Sequence, residues 1–401
     1  MPGGGRTALF IWELGDGLGH VTRLLRIAEV LRQDGMRCLF VVRNVEMAGA
    51  VVLDHGFGVL QAPIARIEPI RGPDSNQPVS VADILGSIGF ADRRRLEPLV
   101  CAWSALIDAV APDIAITDYA PTANLALYGG PVPVLVIGDG FTLPPVDVDH
   151  FLPLRKGRPA HDEGRLAAVV TEVQAARARP APAHLPLLFA GDQHFVVTLP
   201  ELDAWSAYRS RQAIGPIAPP LAPASGTPTM SYFAYLSADY PYIDRVLAGL
   251  VESGRSGSVF LRDSTATQRE AWRGKGLVIH DQPQDLAEVA ESTATIIHHG
   301  GIGTSEAVLA LGRTHLLVPR HFEQFANADR LGRLGVAVAL RSGGKFGSSD
   351  LGRALEAAEI VQRRSRAATV AATLASRPAN ALHTAIAACR ALLGAQKDRG
   401  C

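Results

Sequence analysis

Two groups of residues carry the chemistry this sequence can do. The first is the run His298-His299-Gly300-Gly301-Ile302-Gly303-Thr304, which follows the apolar stretch Ala294–Ile297 and leads into a helical pattern near Ser305. Glycine lets the backbone approach a ligand closely and adopt positive φ. A helix N-terminus offers unpaired N–H groups and a partial positive charge. Together they suit a diphosphate, and a histidine just before the glycines can add a hydrogen bond to a phosphate oxygen. Packing alone would explain the glycines but needs no pair of polar histidines beside them. Downstream, Glu323 and Gln324 stand side by side after the strand-like His315–Pro319. An acid next to an amide suits bidentate hydrogen bonding to sugar hydroxyls, and it equally fits the first turn of a helix.

The second group is Gly17-Leu18-Gly19-His20-Val21 together with Asp118. Histidine is the side chain whose charge changes near neutral pH, so one at a strand-to-helix turn suits a general base acting on a hydroxyl. Asp118 closes the apolar run Ile114-Ala115-Ile116-Thr117, on the same expected sheet edge. A carboxylate there would fix the imidazole tautomer and stabilise the imidazolium. The plainer alternatives are that His20 caps its helix or binds phosphate, and that Asp118 caps a loop.

Strands alternating with helices must hold these side chains. Thr7–Leu14 is an apolar run, Gly15–Gly19 a glycine-rich turn, and Val21–Arg32 sets Leu24, Leu25, Ile27, Ala28 and Leu31 at helical spacing. Cys38–Val42, Asp113–Thr117 and Val134–Gly138 read as strands buried on both faces. Residues 66–98 break the rhythm with the turn-rich Gly72–Pro78 and a helix from Val79, an insertion that suits either substrate contacts or a surface loop. The Pro/Ala-rich Ile214–Pro228 lacks apolar periodicity and reads as a stiff linker. Alternation then restarts with strands at Met230–Leu236, Ser258–Leu261, Leu277–His280, Ala294–Ile297, His315–Val318 and Val336–Leu340, and a helix near Tyr242–Glu252. Asp350–Lys397 is helical. The expected division is a domain over 1–215, a linker over 216–228, and a second domain over 229–401 that carries the C-terminal helices. Each domain is α/β, with a parallel sheet between helices, and open sheets of this kind bind ligands at the carboxyl ends of their strands.

Several of these residues together resemble a known family. Asp281-Gln282-Pro283-Gln284, His299-Gly300-Gly301-Ile302-Gly303-Thr304, Pro319, Glu323-Gln324 and Asn327-Ala328 follow the order and spacing of the donor-binding signature of GT-B glycosyltransferases. The likeness is to bacterial members of the UDP-glycosyltransferase superfamily. Gly19-His20-Val21, with its helix ending at Gly35-Met36, and Pro112-Asp113-Ile114 through Asp118 look like the start and the acid-bearing strand of the same superfamily. The resemblance implies two Rossmann-like domains facing a central cleft, the first binding acceptor and the second binding a nucleotide-diphosphate sugar. It implies an inverting transfer to an acceptor hydroxyl on a small molecule or lipid, with no metal and no cofactor, the nucleotide-sugar being a substrate. Gln282, Pro283 and Gln284 would cover the nucleobase. His299, Gly300, Gly301, Gly303 and Thr304 would hold the diphosphate, and Glu323 and Gln324 the sugar. His20, oriented by Asp118, would deprotonate the acceptor. Two rivals are a nucleotide-sugar epimerase of the same fold and a non-catalytic nucleotide-sugar-binding scaffold or subunit. The base, the sugar and the acceptor stay open.

Composition narrows the remaining classes. The chain has 401 residues, 47% hydrophobic and 19% charged, with zero formal net charge, enough for two cores and without a nucleic-acid footprint. Arg93-Arg94-Arg95 reads as a solvated helix face. Cys38, Cys101, Cys389 and Cys401 lack metal-ligand spacing and fit reduced thiols in a cytoplasmic protein. No signal peptide and no span of about 20 apolar residues is expected, which leaves peripheral membrane contact open. Gly15–His20 is not a dinucleotide fingerprint, because His20 replaces the third glycine and Arg43-Asn44 stand where an acid should close the second strand. The Asp147-Val148-Asp149 triplet is read as chance. His161-Asp162-Glu163 and His194 show no ligand spacing, and Tyr240 and Tyr242 are expected to pack in the core or a hinge.

Overall fold

The computed structural model describes residues 5–15, 17–73, 76–340 and 346–399. Asp16 of the glycine-rich turn, Asp74 and Ser75 of the insertion, the N-terminal Met1–Gly4 and Cys401 lie outside the described residues. The chain forms two compact units, Met1–Ala218 with Asn380–Cys401, and Pro219–Ala379.

The first unit runs β1 (Thr7–Trp12), α1 (Gly19–Gln33), β2 (Arg37–Val42), α2 (Val45–Asp54), β3 (Gly58–Gln61), α3 (Val81–Leu85), α4 (Arg93–Val110), β4 (Ile114–Asp118), α5 (Pro121–Leu127), β5 (Val134–Gly138), α6 (Glu163–Ala176) and β6 (Gln193–Val196). Its six strands are parallel in the order β3-β2-β1-β4-β5-β6. β1, β4 and β5 are buried along their whole length, as continuous apolar runs require when helices cover both faces. The strand order reverses between β1 and β4, and such a switch point leaves a crevice outside the carboxyl ends.

The insertion is not a surface loop throughout. Residues 79–90 are buried except Ile84, and the fully buried Asp83 accepts backbone N–H groups of Val79 (2.7 Å), Ala160 (2.6 Å) and His161 (2.9 Å). Its Arg93–Arg95 end behaves as a solvated face: Arg93 pairs with Glu97 at 3.0 Å and Arg95 with Glu68 at 2.9 Å.

The second unit runs β7 (Met230–Ser237), α7 (Ile243–Ser253), β8 (Gly257–Arg262), α8 (Ala266–Arg273), β9 (Val278–His280), α9 (Leu286–Ser292), β10 (Thr293–His298), α10 (Ile302–Leu311), β11 (Thr314–Leu317), α11 (Phe322–Arg333), β12 (Ala337–Ala339), α12 (Ser348–Glu359) and α13 (Val361–Ala375). Its strands are parallel in the order β12-β11-β10-β7-β8-β9, which repeats the first unit's topology when counted from β7. Here the switch point lies between β7 and β10.

One expectation about organisation changes, and the linker stretch is anchored at both ends. Ile214 and Gly215 donate to Val196 and Thr198 in the first unit, while Ser225 and Gly226 donate to the Glu291 carboxylate in the second. The last helix, α14 (Ala381–Arg399), belongs to the first unit and not to the second. Its Ala381, Ala385, Ile386, Cys389 and Leu393 join a core with α1 residues such as Leu24 and Leu31, and Arg390 holds Asp34 through two contacts of 2.9 Å. Among the described residues no helix is long and apolar enough to cross a membrane.

Candidate functional site

At the first unit's switch point, the register pairs Trp12 of β1 with Asp118 of β4, so the loop after β1 and the end of β4 share one edge. His20 lies in the first turn of α1, and its Nδ1 stands 2.9 Å from Asp118 Oδ1. Both residues are buried, Asp118 completely. Nδ1 also lies 3.1 Å from an Nη of Arg23, and in the tautomer that donates Nδ1–H to the Asp118 carboxylate, Nε2 is the acceptor. The rings of Trp12 and Tyr119 lie roughly parallel to the imidazole at 5.5 and 6.1 Å. Gly15 sits at φ +90, and a Cβ there would come within 2.6 Å of His20 Nε2. Glycine at that position therefore serves the turn and keeps Nε2 clear.

Two partners were not anticipated. Arg23, one turn along α1 from His20, reaches Asp118 Oδ2 at 3.1 Å and Asp139 Oδ2 at 3.4 Å. Asp139 directly follows β5 and is buried. Burial alone would raise its pKa, but Arg23, His20 and the amides of Thr142 and Phe141 outweigh that and hold it below the ordinary carboxylate range. The one-turn spacing of His20 and Arg23, and an acid at the end of an apolar run, were the available signals.

At the second unit's switch point, β10 ends in His298 and α10 begins at Ile302. Gly300 adopts φ +90, so the turn requires glycine. Buried side chains clamp its two sides: Gly300 N–H donates to His298 Nδ1 at 3.1 Å, and Asn327 Nδ2 donates to Gly300 O at 2.9 Å. His298 Nε2 must then carry the proton, which it gives to His315 Nδ1 at 3.0 Å. Burial pushes both imidazoles down, His315 to about 3, so the pair stays neutral.

Gly301 and Gly303 differ from Gly300. Neither lies at positive φ, and a Cβ added to either meets nothing within 4 Å. Gly301 is the N-cap of α10, and no side chain caps that end. Glycine suits the N-cap at Gly301, but packing explains neither glycine, and space is open around both at the helix N-terminus. Thr304 occupies the same first turn.

His299 departs from the expected role of phosphate donor. Its Nδ1 donates to Val318 O at 2.8 Å, and its Nε2 accepts Ser237 N–H at 3.0 Å. Both nitrogens are committed within the protein, and Tyr240 packs edge-on against the ring at 5.2 Å. Burial, with Arg320 and Arg262 nearby, pushes its pKa down to about 4.

The other expected residues stand on the same sheet edge. Gln282, Pro283 and Gln284 form the turn after β9, where Gln284 Nε2 donates to Gln282 O at 2.9 Å. Glu323 lies in the first turn of α11, and Gln324 accepts Arg320 N–H at 2.9 Å, so part of its amide caps the loop instead of facing outward. Asp147 and Asp149 do not act as a pair: Ser210 donates to Asp147, and His184 meets Asp149 at 3.3 Å.

No protein-family model matches this chain. A stretch of 154 residues is 30% identical to glycosyltransferase GtfC of Amycolatopsis orientalis, covering 38% of this chain and 37% of that protein. The matched stretches span less than two fifths of the curated relatives' own length. The fold extends much further. The calicheamicin glycosyltransferase CalG4 superposes with a TM-score of 0.67 over 97% of this chain and 98% of its own, at 17% identity. Glycosyltransferase VinC, solved in complex with dTDP, superposes with a TM-score of 0.65 over 98% of this chain and 100% of its own, at 14% identity.

Proposed function

We propose that this chain, which has the two-domain architecture of bacterial GT-B glycosyltransferases, transfers a sugar from a nucleotide-diphosphate donor to an acceptor hydroxyl with inversion. The second unit would bind the donor, as a nucleoside diphosphate of the kind VinC holds, at the turn from His299 to Thr304. The first unit would supply the base. His20 Nε2 would take the hydroxyl proton as the acceptor oxygen bonds to the anomeric carbon. The bond from that carbon to phosphate breaks at the same centre, and the diphosphate leaves with its charge. Amides at the α10 N-terminus would stabilise that charge where it develops. Asp118 would stabilise the imidazolium as it forms. Gln282, Pro283 and Gln284 would face the base, and Glu323 with Gln324 the sugar. The acceptor is a small molecule or lipid bearing a free hydroxyl.

The observation that carries this reading is the pair Gly301 and Gly303, glycines that neither φ nor packing demands. The N-cap position suits glycine at Gly301, and at Gly303, inside the first turn, a ligand approaching the backbone is the reason that supports this reading. Gly303→Ala tests it directly. At an unstrained position in a helix, alanine adds about 0.5–1 kcal/mol of stability. The expected result is a protein at least as stable as the parent whose thermal shift with UDP-, dTDP- or GDP-sugars is lost. A stable variant that binds the same donor as the parent does would remove the diphosphate from this turn. For the base, His20→Ala is expected to lower turnover by about 10²–10⁴-fold while donor binding persists. Unchanged turnover would remove His20 from the chemistry, and a new epimer from donor incubated alone would replace transfer with epimerisation.

A further inference from the structure

A diphosphate needs positive charge, and His299 does not supply it. The imidazole donates one N–H to Val318 O, accepts Ser237 N–H at the other nitrogen, and is neutral. Two guanidiniums stand beside it instead. Arg262 ends β8 and Arg320 follows β11, so the strand order β11-β10-β7-β8 puts one on each side of the β7–β10 switch point. A single carboxylate links them. Arg320 Nη2 lies 2.9 Å from Asp239 Oδ2, and Ser237 Oγ donates to Asp239 while accepting from Arg262 Nη2 at 3.3 Å. Asp263 holds the Nε of Arg262 at 3.0 Å. Asp239 is 61% exposed at its side chain and Arg320 25%, so the contact between them opens to solvent.

We propose that Arg262 and Arg320 are the charge receptor for the donor's diphosphate, and that Asp239 is the anion the diphosphate displaces from Arg320. The inference rests on the donor reading of the His299–Thr304 turn. Guanidinium matches phosphate oxygens with parallel N–H donors, which an exposed carboxylate partner satisfies less strongly than a group of higher charge. Two cations on opposite sides of the switch point, joined through Asp239 and Ser237, favour a diphosphate over a monophosphate, since the longer anion offers more oxygens to share between them. His299 then serves as a neutral spacer that fixes Ser237 and the end of β11.

Calorimetric titration of the full chain with inorganic pyrophosphate, UDP, dTDP and GDP, and with the matching monophosphates, tests the assignment. Arg320→Gln and Arg262→Gln are each expected to weaken diphosphate binding by about ten-fold or more, the loss expected for a charged hydrogen bond. Monophosphate binding should change less, so the preference for diphosphate shrinks. Arg320→Lys should recover part of the loss. Asp239→Asn should bind diphosphate more tightly than the parent, the opposite sign from the arginine variants. Circular dichroism and melting curves identify any variant that fails to fold, and Asp239→Asn provides a second route if an arginine variant does. If the parent binds a diphosphate and the amides of Gly301 and Gly303 shift by NMR, yet all three charge variants bind alike, the receptor assignment is wrong and the donor reading stands. Weaker binding by Asp239→Asn likewise overturns the displacement. If the parent binds none of these anions, the donor reading itself fails.

Discussion

Arg23 stands between two buried carboxylates, and their shared charge is what makes a His20–Asp118 pair tenable in a closed environment. Without a cation, Asp118 and Asp139 would each face a large desolvation cost, and one would protonate. Arg23→Met is therefore expected to cost about 3–5 kcal/mol, the usual penalty for leaving a buried charge uncompensated. The sign with pH follows from Asp139, whose pKa is held below the ordinary range although its burial works the other way. A depressed carboxylate adds stability above its unfolded value, and that stability is lost as pH falls through the folded value. The gap between parent and Arg23→Met should be widest at neutral pH and narrow in acid, as read by urea unfolding across a pH series. A gap independent of pH would mean the loss is one of packing. His20 and Asp118 were legible because His20 opens the helix after a glycine-rich turn and Asp118 closes an apolar run, both at the carboxyl ends of neighbouring strands. Arg23 was not, because a helical pattern shows which face a side chain occupies, not which strands its guanidinium reaches.

Between residue and unit, the join of β1 to α5 shows how an element end is satisfied. Glu13 follows β1 and is almost fully buried, and its carboxylate accepts Thr122 N–H at 2.9 Å and Ala123 N–H at 3.2 Å in the first turn of α5. Burial raises its pKa to about 7, against the pull of those donors and of Arg43. The folded form therefore holds a proton that the unfolded chain releases near pH 4.5. Stability from this group is full below that value and declines as pH rises toward about 7. Glu13→Gln keeps an oxygen acceptor and has no charge to bury. Its stability relative to the parent should grow as pH rises above 4.5 and level off past about 7. A constant difference across that range would show that Glu13 does not titrate on folding. The same region marks the limits of pattern reading. The central strands were found to within two residues because they are continuous apolar runs. The edge strands β3 and β6 were missed because partial exposure breaks that pattern, and α5 because all seven of its residues are buried and no polar face gives a helical period.

At the scale of the whole molecule, the two sheets share one topology, and the chain's last helix decides which core it completes. The stripe Ala381, Ala385, Ile386, Cys389 and Leu393 tells a reader that α14 has one apolar face, but both units offer helices for it to cover. Its position in the chain pointed to the second unit. Packing resolved the matter otherwise, because the face of α1 carrying Leu24 and Leu31 sits in a core that α14 closes, and Asp34 at the end of α1 accepts Arg390 at two points. Burial of the stripe is the larger contribution, since the Arg390–Asp34 pair is exposed to solvent. Ile386→Ala removes buried methyl groups and is expected to cost about 2–5 kcal/mol. Because that loss falls on one unit's core, amide exchange should quicken in α1 and β2 and stay as slow as before in β7 and β10. Faster exchange confined to β7 and β10 would put α14 on the other core. Equal acceleration in both sheets would mean that the helix stabilises the chain as one cooperative body rather than through the core it is seen to fill.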